Sequence, residues 1–300
     1  MRRTILQVVA MAAVAVSMFA ANTSASALDA RANGANATYI LKKNVRYLPD
    51  RTRAEKADLY IPKPTGVKLN DTSRPAMVIV HGGGFTKNDK GDARERVVSK
   101  ILASNGVVAM SINYLLSSNK TGNVFPTNIQ DCMNAVKYLR INAKTLGVDP
   151  ERIGILGASA GGNLATMVAL TDQFDDGSNA GVSSKVKVLV DMYGNVNLYR
   201  HRDYVSIFGK TRAEDRDNYK KYSPYYYVNK DAPATLVIHS DRDPTVSVLQ
   251  SVRLHQRLKQ SGVSSTIITV ESNKHSIKVQ KIGDVDLPSI LLGFLQNFLF

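Results

Sequence analysis

The 300-residue chain contains no tryptophan and one cysteine, Cys132, so an intrachain disulfide is impossible. Cys132 falls in a predicted helix over residues 128–139, where the expected role is that of a small buried hydrophobic group. No tight turn surrounds it, which argues against a cysteine nucleophile. Long apolar runs are scarce as well: one covers residues 5–21, and no later segment is apolar enough to cross a bilayer.

The apolar run at the N-terminus has the organisation of a secretory signal peptide. Residues 1–3 form a basic start, residues 5–21 an apolar region, and residues 25–27 a small-x-small cleavage pattern. The run is short, alanine-rich and followed at once by polar residues, which disfavours the alternative of a retained membrane anchor. The sequence therefore predicts removal of residues 1–27. Export without disulfides favours a secreted or periplasmic bacterial protein.

The predicted mature chain, residues 28–300, has the length of one α/β domain. Removal of 27 residues from 300 leaves 273, which is enough for one well-filled core and too few for two typical domains. The chain carries 39 basic and 25 acidic residues, a formal net charge of +14. Such a charge either attracts acidic polymers (uronic-acid polysaccharide, anionic lipid, nucleic acid) or gives a generally basic surface. Since the charges are scattered and no nucleic-acid motif accompanies them, we favour the second reading and expect no nucleic-acid partner.

Strand-like and helix-like segments alternate along most of the chain. An opening antiparallel pair is predicted at residues 39–48 and 57–61, and a continuous apolar run at 77–80 predicts a strand covered on both faces. Further predicted strands lie at residues 107–114, 152–156, 186–193, 234–239 and 265–271. Predicted helices lie at residues 93–104, 127–146, 160–170, 246–260 and 286–298. This alternation predicts a mostly parallel sheet with helices on both faces.

One long stretch stands outside the alternation. Residues 195–231 are rich in tyrosine and charge, and we expect them to form a small cap-like insertion over the site. The tyrosines either pack the cap against the sheet, which we favour, or contact a ligand such as a sugar polymer. The tyrosines and phenylalanine concerned are Tyr199, Tyr204, Phe208, Tyr219, Tyr222, Tyr225, Tyr226 and Tyr227.

Two short motifs follow apolar runs that read as buried strands. Residues 157–161 form a G-x-S-x-G turn around Ser159, a strand-to-helix turn in which small neighbours hold the serine Oγ clear of the backbone. Residues 81–85 form a glycine loop whose N–H groups can point at a developing oxyanion. Each motif alone is a moderate signal. Together, in this order and after strands whose carboxyl ends share one edge, they predict a serine hydrolase.

A serine nucleophile needs a base and an orienting acid. Of the five histidines, His275 follows the predicted strand 265–271 by a short loop and precedes the last helix, where it can reach Ser159 across the sheet edge. The acid is expected after strand 234–239, where two carboxylates compete. We favour Asp243, which sits deeper along the loop towards His275, over Asp241, which reads equally as a turn residue bonded to local N–H groups.

The chain resembles the α/β-hydrolases of the BD-FAE-like esterase family, which is related to the hormone-sensitive-lipase group. The residues that carry the resemblance are 58–62, 81–85, 157–165 and 239–244, which span nearly the whole mature chain. The order serine, aspartate, histidine is also that of α/β-hydrolases. The resemblance implies an α/β-hydrolase fold and the catalytic set Ser159, His275 and Asp243, with an oxyanion hole made by the N–H groups of Gly83, Gly84 and Ala160.

Two positions depart from the family pattern. Phe85 stands where many relatives carry tryptophan, and His275 lacks the glycine that often follows the base. Neither change removes a catalytic atom, so both concern the acyl pocket.

The predicted function is a serine carboxylesterase acting on short-chain acyl esters, with acetyl or feruloyl esters of polysaccharide as candidate substrates. This chemistry needs no metal or organic cofactor. A non-catalytic binding protein on the same fold is disfavoured because the predicted nucleophile, base and glycine loop are all present. An arylformamidase-type amide hydrolase is disfavoured by the predicted export.

Overall fold

The structure is a computed structural model that describes residues 39–50, 55–63, 74–118, 122–277, 281–282 and 285–300. The predicted signal peptide, residues 1–27, lies outside the described residues. Within the described ranges, none of the helices is long and apolar enough to span a bilayer.

The main sheet has eight strands, all of which run in the same direction except the second. The strands are β1 (Tyr39–Val45), β2 (Ala57–Pro62), β3 (Arg74–Val80), β4 (Val108–Ile112), β5 (Val148–Ala158), β6 (Val188–Met192), β7 (Ala234–Ser240) and β8 (Ser265–Val270). Their order in the sheet is β1-β2-β4-β3-β5-β6-β7-β8, with β2 antiparallel to both neighbours. The predicted opening antiparallel pair and the mostly parallel sheet are confirmed. A two-stranded ribbon joins β9 (Lys281–Ile282) to β10 (Val285–Asp286).

The helices fill the connections between the strands. They are α1 (Ala93–Ser104), α2 (Thr127–Ile141), α3 (Ala143–Leu146), α4 (Ala160–Leu170), α5 (Val205–Phe208), α6 (Arg216–Lys221), α7 (Leu249–Gln260) and α8 (Leu287–Phe298). The predicted single helix over residues 127–146 is interrupted at Asn142, whose side chain donates a 2.8 Å hydrogen bond to Tyr138 O. Gly147, at φ 65°, then ends α3 in the left-handed conformation that glycine adopts most readily.

The two faces of the sheet are buried by different helices. Alternate β3 residues point to opposite faces, so Val78 packs in one core cluster and Met77 in another. The first cluster includes residues of α2 and α4, and the second includes residues of α1 and α8. A third cluster joins α7 to Val237 and Ile267, on neighbouring strands β7 and β8. Because both faces are covered, β2 and β4 are buried along their whole length.

Residues 195–231 connect β6 to β7 with short elements. These are the 3-10 helices Leu198–Arg200 and Pro224–Tyr227 and the helices α5 and α6. Most of the aromatic side chains of this connection pack inward: Tyr204, Tyr219 and Tyr222 are buried in the first core cluster. Tyr226, in contrast, is 37% exposed.

Candidate active site

Ser159 lies in the turn between β5 and α4, at the carboxyl edge of the sheet. Its backbone φ is 55°, a left-handed conformation that is uncommon for a residue with a side chain. Its N–H donates a 2.9 Å hydrogen bond to Met192 O on the neighbouring strand. A Cβ added to Gly157 would stand 2.0 Å from Gly161 O, and one added to Gly161 would stand 2.2 Å from Val80 O. The turn therefore requires glycine on both sides of the serine.

His275 joins Ser159 to Asp243 through both ring nitrogens. The distance from His275 Nε2 to Ser159 Oγ is 2.8 Å, and the distance from Nδ1 to Asp243 Oδ2 is 2.7 Å. The structure thus brings together the three residues that the sequence selects from three different loops. The imidazole side chain is 23% exposed, whereas the Asp243 carboxylate is fully buried.

The Asp243 carboxylate has a partner on each side. Oδ1 accepts hydrogen bonds from the N–H groups of Thr245 at 2.7 Å and Val246 at 3.0 Å. Oδ2 lies 3.3 Å from His239 Nε2 in addition to His275. Burial alone would raise the pKa of Asp243, but the hydrogen bonds from His239, His275 and the two N–H groups outweigh it and hold the pKa well below its usual range. Asp243 is therefore ionised, and His275 Nδ1 carries the proton that it accepts.

His239, at the end of β7, is a supporting residue that the sequence did not select for a role. Its Nε2 lies 2.8 Å from Val246 O, and because a carbonyl oxygen only accepts, Nε2 carries the proton. Nδ1 is then the acceptor for the Ser251 hydroxyl at 2.7 Å. The fully buried imidazole thus holds the Asp243 loop against α7. Its position directly before the acid loop is the signal that could have found it.

Asp241 makes different contacts from Asp243. Its Oδ1 accepts a 2.8 Å hydrogen bond from the N–H of Ser272, in the loop that leads to His275. Arg242 Nε lies 3.6 Å from the same oxygen. Asp241 therefore ties the two loops together, and the structure places it away from the imidazole.

The glycine loop lies beside Ser159. Gly83 (φ 114°) and Gly84 (φ 63°) have backbone conformations that favour glycine, and a Cβ on Gly83 would meet Lys87 O at 2.0 Å. Within the described part of the chain, neither N–H donates a hydrogen bond to another residue. Ala160 is the first residue of α4, where N–H groups have no acceptor inside the helix. Three backbone donors thus stand at this edge of the sheet.

His81 and Phe85, at the two ends of the glycine loop, are both buried in the protein. The His81 ring stacks on Tyr114 at 4.5 Å, and the Tyr114 hydroxyl donates a 3.1 Å hydrogen bond to His81 O. Burial lowers the pKa of His81, so the ring stays neutral. Phe85 contacts Phe125 and Tyr204 edge-on. These contacts anchor the loop to the core, and Phe85 packs there against aromatic neighbours.

Tyr193 and Arg94 complete the surroundings of His275, and no sequence pattern pointed to either. The Tyr193 ring meets the His275 ring edge-on at 5.0 Å between centroids. Its hydroxyl accepts a 2.7 Å hydrogen bond from Arg94 Nη1, and Glu95 holds the same guanidinium. Burial raises the pKa of Tyr193, so the phenol is neutral. Tyr193 therefore limits the freedom of the imidazole through packing.

Ser159 and His275 open onto a cavity of about 720 Å³. Its wall includes the glycine loop, Lys87 and Arg94, and five residues of the β6–β7 connection: Arg202, Asp203, Tyr204, Ser206 and Ile207. The larger apolar side chains on this wall are those of Tyr193, Tyr204 and Ile207. Within the described ranges, no group of three or more His, Cys, Asp or Glu residues is arranged to hold a metal ion.

The strand order, the turn at Ser159 and the loops at the carboxyl edge define an α/β-hydrolase fold. The profile of the BD-FAE family matches residues 57–258, and the chain belongs to this family. A truncated carbohydrate esterase from gut microbiota superposes with a TM-score of 0.69 at 30% identity, covering 79% of this chain and 89% of that one.

Curated relatives carry esterase names. Esterase LipQ of Mycobacterium tuberculosis is 29% identical over 213 residues, which are 67% of this chain and 49% of LipQ. An arylesterase of Saccharolobus solfataricus is 28% identical over 224 residues, 69% of this chain and 70% of that protein. The chain spans 49% and 60% of the length of the mycobacterial esterases LipQ and LipC.

Proposed function

We propose that the protein is a serine-dependent carboxylesterase that hydrolyses short-chain acyl esters through an acyl-enzyme. The observation that carries this proposal is the unbroken hydrogen-bonded line from Ser159 through His275 to a buried, ionised Asp243. This line ends at a cavity that also contains Gly83 and Gly84, so a nucleophile and oxyanion donors face the same space. The esterase names of the family relatives support the same reaction class.

The first half of the reaction forms the acyl-enzyme. His275 Nε2 takes the proton from Ser159 as Oγ attacks the ester carbonyl, and Asp243 stabilises the imidazolium that results. The N–H groups of Gly83, Gly84 and Ala160 donate hydrogen bonds to the carbonyl oxygen as it becomes negatively charged. Removal of one such donor raises the activation barrier by about 3–4 kcal/mol in comparable sites. His275 then protonates the leaving alcohol.

The second half returns the enzyme to its starting state. Water enters where the alcohol left, His275 Nε2 takes one of its protons, and the hydroxide equivalent attacks the acyl carbonyl. Collapse of the second tetrahedral species releases the carboxylic acid and returns the proton to Ser159 Oγ. Asp243 stays ionised throughout because its hydrogen bonds hold its pKa well below the usual range of a carboxyl group.

The cavity wall favours short acyl groups. A long aliphatic chain gains about 0.8 kcal/mol for each methylene that it buries, but only against apolar surface. Here the larger apolar side chains are Ile207, Tyr193 and Tyr204, and the rest of the wall is polar or glycine. We expect p-nitrophenyl acetate or butyrate to be turned over faster than the octanoate. Faster turnover of octanoate would contradict the short-chain assignment.

Acetyl groups on polysaccharide are the proposed natural substrate. The support is twofold: a carbohydrate esterase is a structural relative at 30% identity, and the wall of the cavity holds a cation over a tyrosine ring, with Arg202 5.2 Å from the ring centre of Tyr204. Release of acetate from acetylated xylan or pectin, compared with an aryl acetate, tests this substrate class. Turnover of aryl acetates without acetate release from either polymer would reject it.

Ser159→Ala tests the reaction itself. We expect this variant to lose nearly all p-nitrophenyl acetate hydrolysis while keeping the unfolding midpoint of the unmodified protein. Ser206→Ala is the matched control, since Ser206 lines the same cavity and has no role in the proposed mechanism. Retained hydrolysis by a folded Ser159→Ala variant would refute the assignment. Loss of activity in both variants would show that the cavity, rather than the Ser159 hydroxyl, was disturbed.

We further propose that residues 1–27 are a cleaved signal peptide and that residues 28–300 form one domain with a cap at about residues 195–231. The basic start, apolar region and small-x-small pattern support cleavage near residue 27 and a secreted or periplasmic location. Mass spectrometry of the protein recovered from periplasm and medium tests this. A chain found only in the cytoplasm with residues 1–27 intact would overturn it.

A further inference from the structure

A second cavity opens beside the proposed catalytic cavity, on the β6–β7 connection. Its volume is about 440 Å³, and three of its five lining residues are arginines. We call it the arginine pocket; it is lined by Tyr199, Arg200, Arg212, Ala213 and Arg253. None of these residues takes part in the proposed catalysis, and the sequence singled out only Tyr199, as one of the cap tyrosines.

Local hydrogen bonds hold the walls of the arginine pocket in place. Arg200 ends a 3-10 helix whose cap, Asn197, accepts a 3.0 Å hydrogen bond from the Arg200 N–H through Oδ1. The buried Gln250 side chain hydrogen-bonds both backbone groups of Asn197, at 2.8 and 3.2 Å. Arg253 follows Gln250 by three residues on α7, which places both on one helix face. The pocket is therefore built from packed elements.

Two of the three guanidinium groups lack a counter-charge. Within the described residues, the Arg200 and Arg253 side chains form no ion pair or hydrogen bond. Arg212 Nε lies 3.6 Å from Asp203 Oδ1, and its Nη1 donates a 3.0 Å hydrogen bond to His201 O. Like charges that face one concave space repel each other, and an anion bound there removes this repulsion.

Tyr199 adds an aromatic wall and two further cations. The Arg216 guanidinium stands 5.4 Å from the centre of its ring and Lys220 Nζ stands 5.6 Å from it. Lys220 Nζ is also 6.0 Å from the ring of Tyr226, which is partly exposed. Cations held over aromatic rings beside a concave surface are suited to a ligand that has both carboxylates and apolar ring faces.

A contact between Asp203 and Arg212 links the proposed catalytic cavity to the arginine pocket. Asp203 lines the catalytic cavity, and its partner Arg212 lines the arginine pocket. The Arg212 N–H also donates a 2.8 Å hydrogen bond to Asp203 Oδ1. A ligand long enough to extend past this contact would present one unit to Ser159 and another to Arg200 and Arg253.

We propose that the arginine pocket binds a carboxylate-bearing sugar unit of a uronic-acid polysaccharide whose esters are cleaved at Ser159. Guanidinium forks match planar carboxylates through two parallel hydrogen bonds. A polyuronide can also carry acyl esters, which the neighbouring cavity requires, whereas nucleic acid presents phosphate and no carboxylic ester. The link to ester cleavage rests on the proposed function, but binding at the pocket does not.

Binding of polygalacturonate oligomers to the full chain tests the proposal at about 0.15 M salt, where long-range attraction is screened. The test variant Arg200→Gln/Arg253→Gln removes both unpaired cations. Its matched control, Lys42→Gln/Lys43→Gln, removes the same charge from exposed positions on β1, at the far edge of the sheet. Neutral xylo-oligomers and single-stranded DNA serve as comparison ligands, and unfolding midpoints confirm that both variants are folded.

We expect the folded test variant to bind polygalacturonate about tenfold or more weakly, the control to bind within about twofold of the unmodified chain, and xylo-oligomers not to compete. Three outcomes would overturn the proposal: no polygalacturonate binding, equal losses in both double variants, or DNA binding that is as tight and as sensitive to the arginines. p-Nitrophenyl acetate turnover is measured separately. Its absence, with arginine-dependent binding intact, would reject the proposed function and leave the pocket assignment standing.

Discussion

Asp243→Asn is the substitution for which the structure makes the most detailed prediction. The native carboxylate accepts two backbone N–H groups on Oδ1 and faces two histidine rings on Oδ2. If the asparagine NH₂ points towards Thr245 and Val246, it faces two backbone N–H groups at short distance. These groups are also donors and cannot become acceptors. With the NH₂ towards the two histidines, the clash with His275 is relieved once that ring moves its proton to Nε2. The N–H of His239 keeps Val246 O as its nearer partner, at 2.8 Å against 3.3 Å to the Asp243 side chain. The second orientation is therefore favoured, and it leaves Nε2 unable to accept the Ser159 proton.

The expected loss follows from this tautomer. An enzyme whose base is in the wrong tautomer retains only the contributions of oxyanion stabilisation and substrate binding. In comparable triads the loss in kcat is about 10⁴-fold. At 1.36 kcal/mol for each factor of ten, that is about 5 kcal/mol of transition-state stabilisation. The fold should persist, because the carbonyl oxygen still accepts both backbone N–H groups.

The assay is p-nitrophenyl acetate turnover, normalised to the fraction of folded protein. Asp241→Asn is the matched control, since its Oδ1 can still accept the N–H of Ser272 and it does not touch His275. We expect Asp241→Asn to keep activity within a few-fold. The reasoning would be refuted if Asp243→Asn stayed within tenfold of the unmodified enzyme, or if Asp241→Asn lost as much.

Two further predictions concern stability. Gly161→Ala should lower the free energy of urea unfolding by about 3 kcal/mol or more, because its Cβ would stand 2.2 Å from Val80 O. Gly106→Ala should lower the free energy of unfolding by only about 1 kcal/mol. Its Cβ would meet nothing within 4 Å, so the positive φ is the sole source of strain. Burial raises the pKa of Asp191 to about 7, whereas its pKa in the unfolded chain is about 3.9. The folded state therefore keeps the Asp191 proton up to a higher pH than the unfolded state does. Between about pH 4 and 7 the contribution of Asp191 to the free energy of unfolding therefore falls as the pH rises, and Asp191→Asn should remove that decline.

If Gly161→Ala and Gly106→Ala lower the free energy of unfolding equally, the turn relaxes to admit a methyl group. The close approach to Val80 O would then not require glycine at position 161. For Asp191, unfolding free energies of the original chain and of Asp191→Asn that run parallel from pH 5 to pH 8 would contradict the burial argument.

More of the fold than of the site could be predicted from the sequence. Alternating apolar segments predicted α1 and α4 with the same bounds as the structure, Ala93–Ser104 and Ala160–Leu170. Both helices sit between strong local signals, so their ends are set by nearby residues. The helix predicted over residues 127–146 was wrong near its end, because the backbone leaves the helical conformation at Asn142 (φ −94°, ψ 15°), where the side chain and the N–H both bond Tyr138 O. Such a bond from a side chain to the preceding turn depends on one rotamer and leaves no periodic signal.

Within the site, residues with a motif were predictable and residues that act through packing were not. Ser159 is marked by its small neighbours, and His275 and Asp243 by their places after strands. Tyr193 and Arg94 lie 99 positions apart and meet only because β6 and α1 converge at the carboxyl edge. The arginine pocket is likewise lined by Arg253 of α7 and by four residues of the β6–β7 connection. Contacts of this kind follow from tertiary packing, which a local pattern does not encode.

The central claim, that Ser159 is a nucleophile activated by His275, is tested most directly by covalent labelling with a fluorophosphonate followed by peptide mapping. We expect one adduct per folded chain, located on the peptide at Ser159, with labelling lost in Ser159→Ala and slowed strongly in His275→Ala. An adduct at another residue, or a folded chain that takes no label while p-nitrophenyl acetate is still hydrolysed, would contradict it.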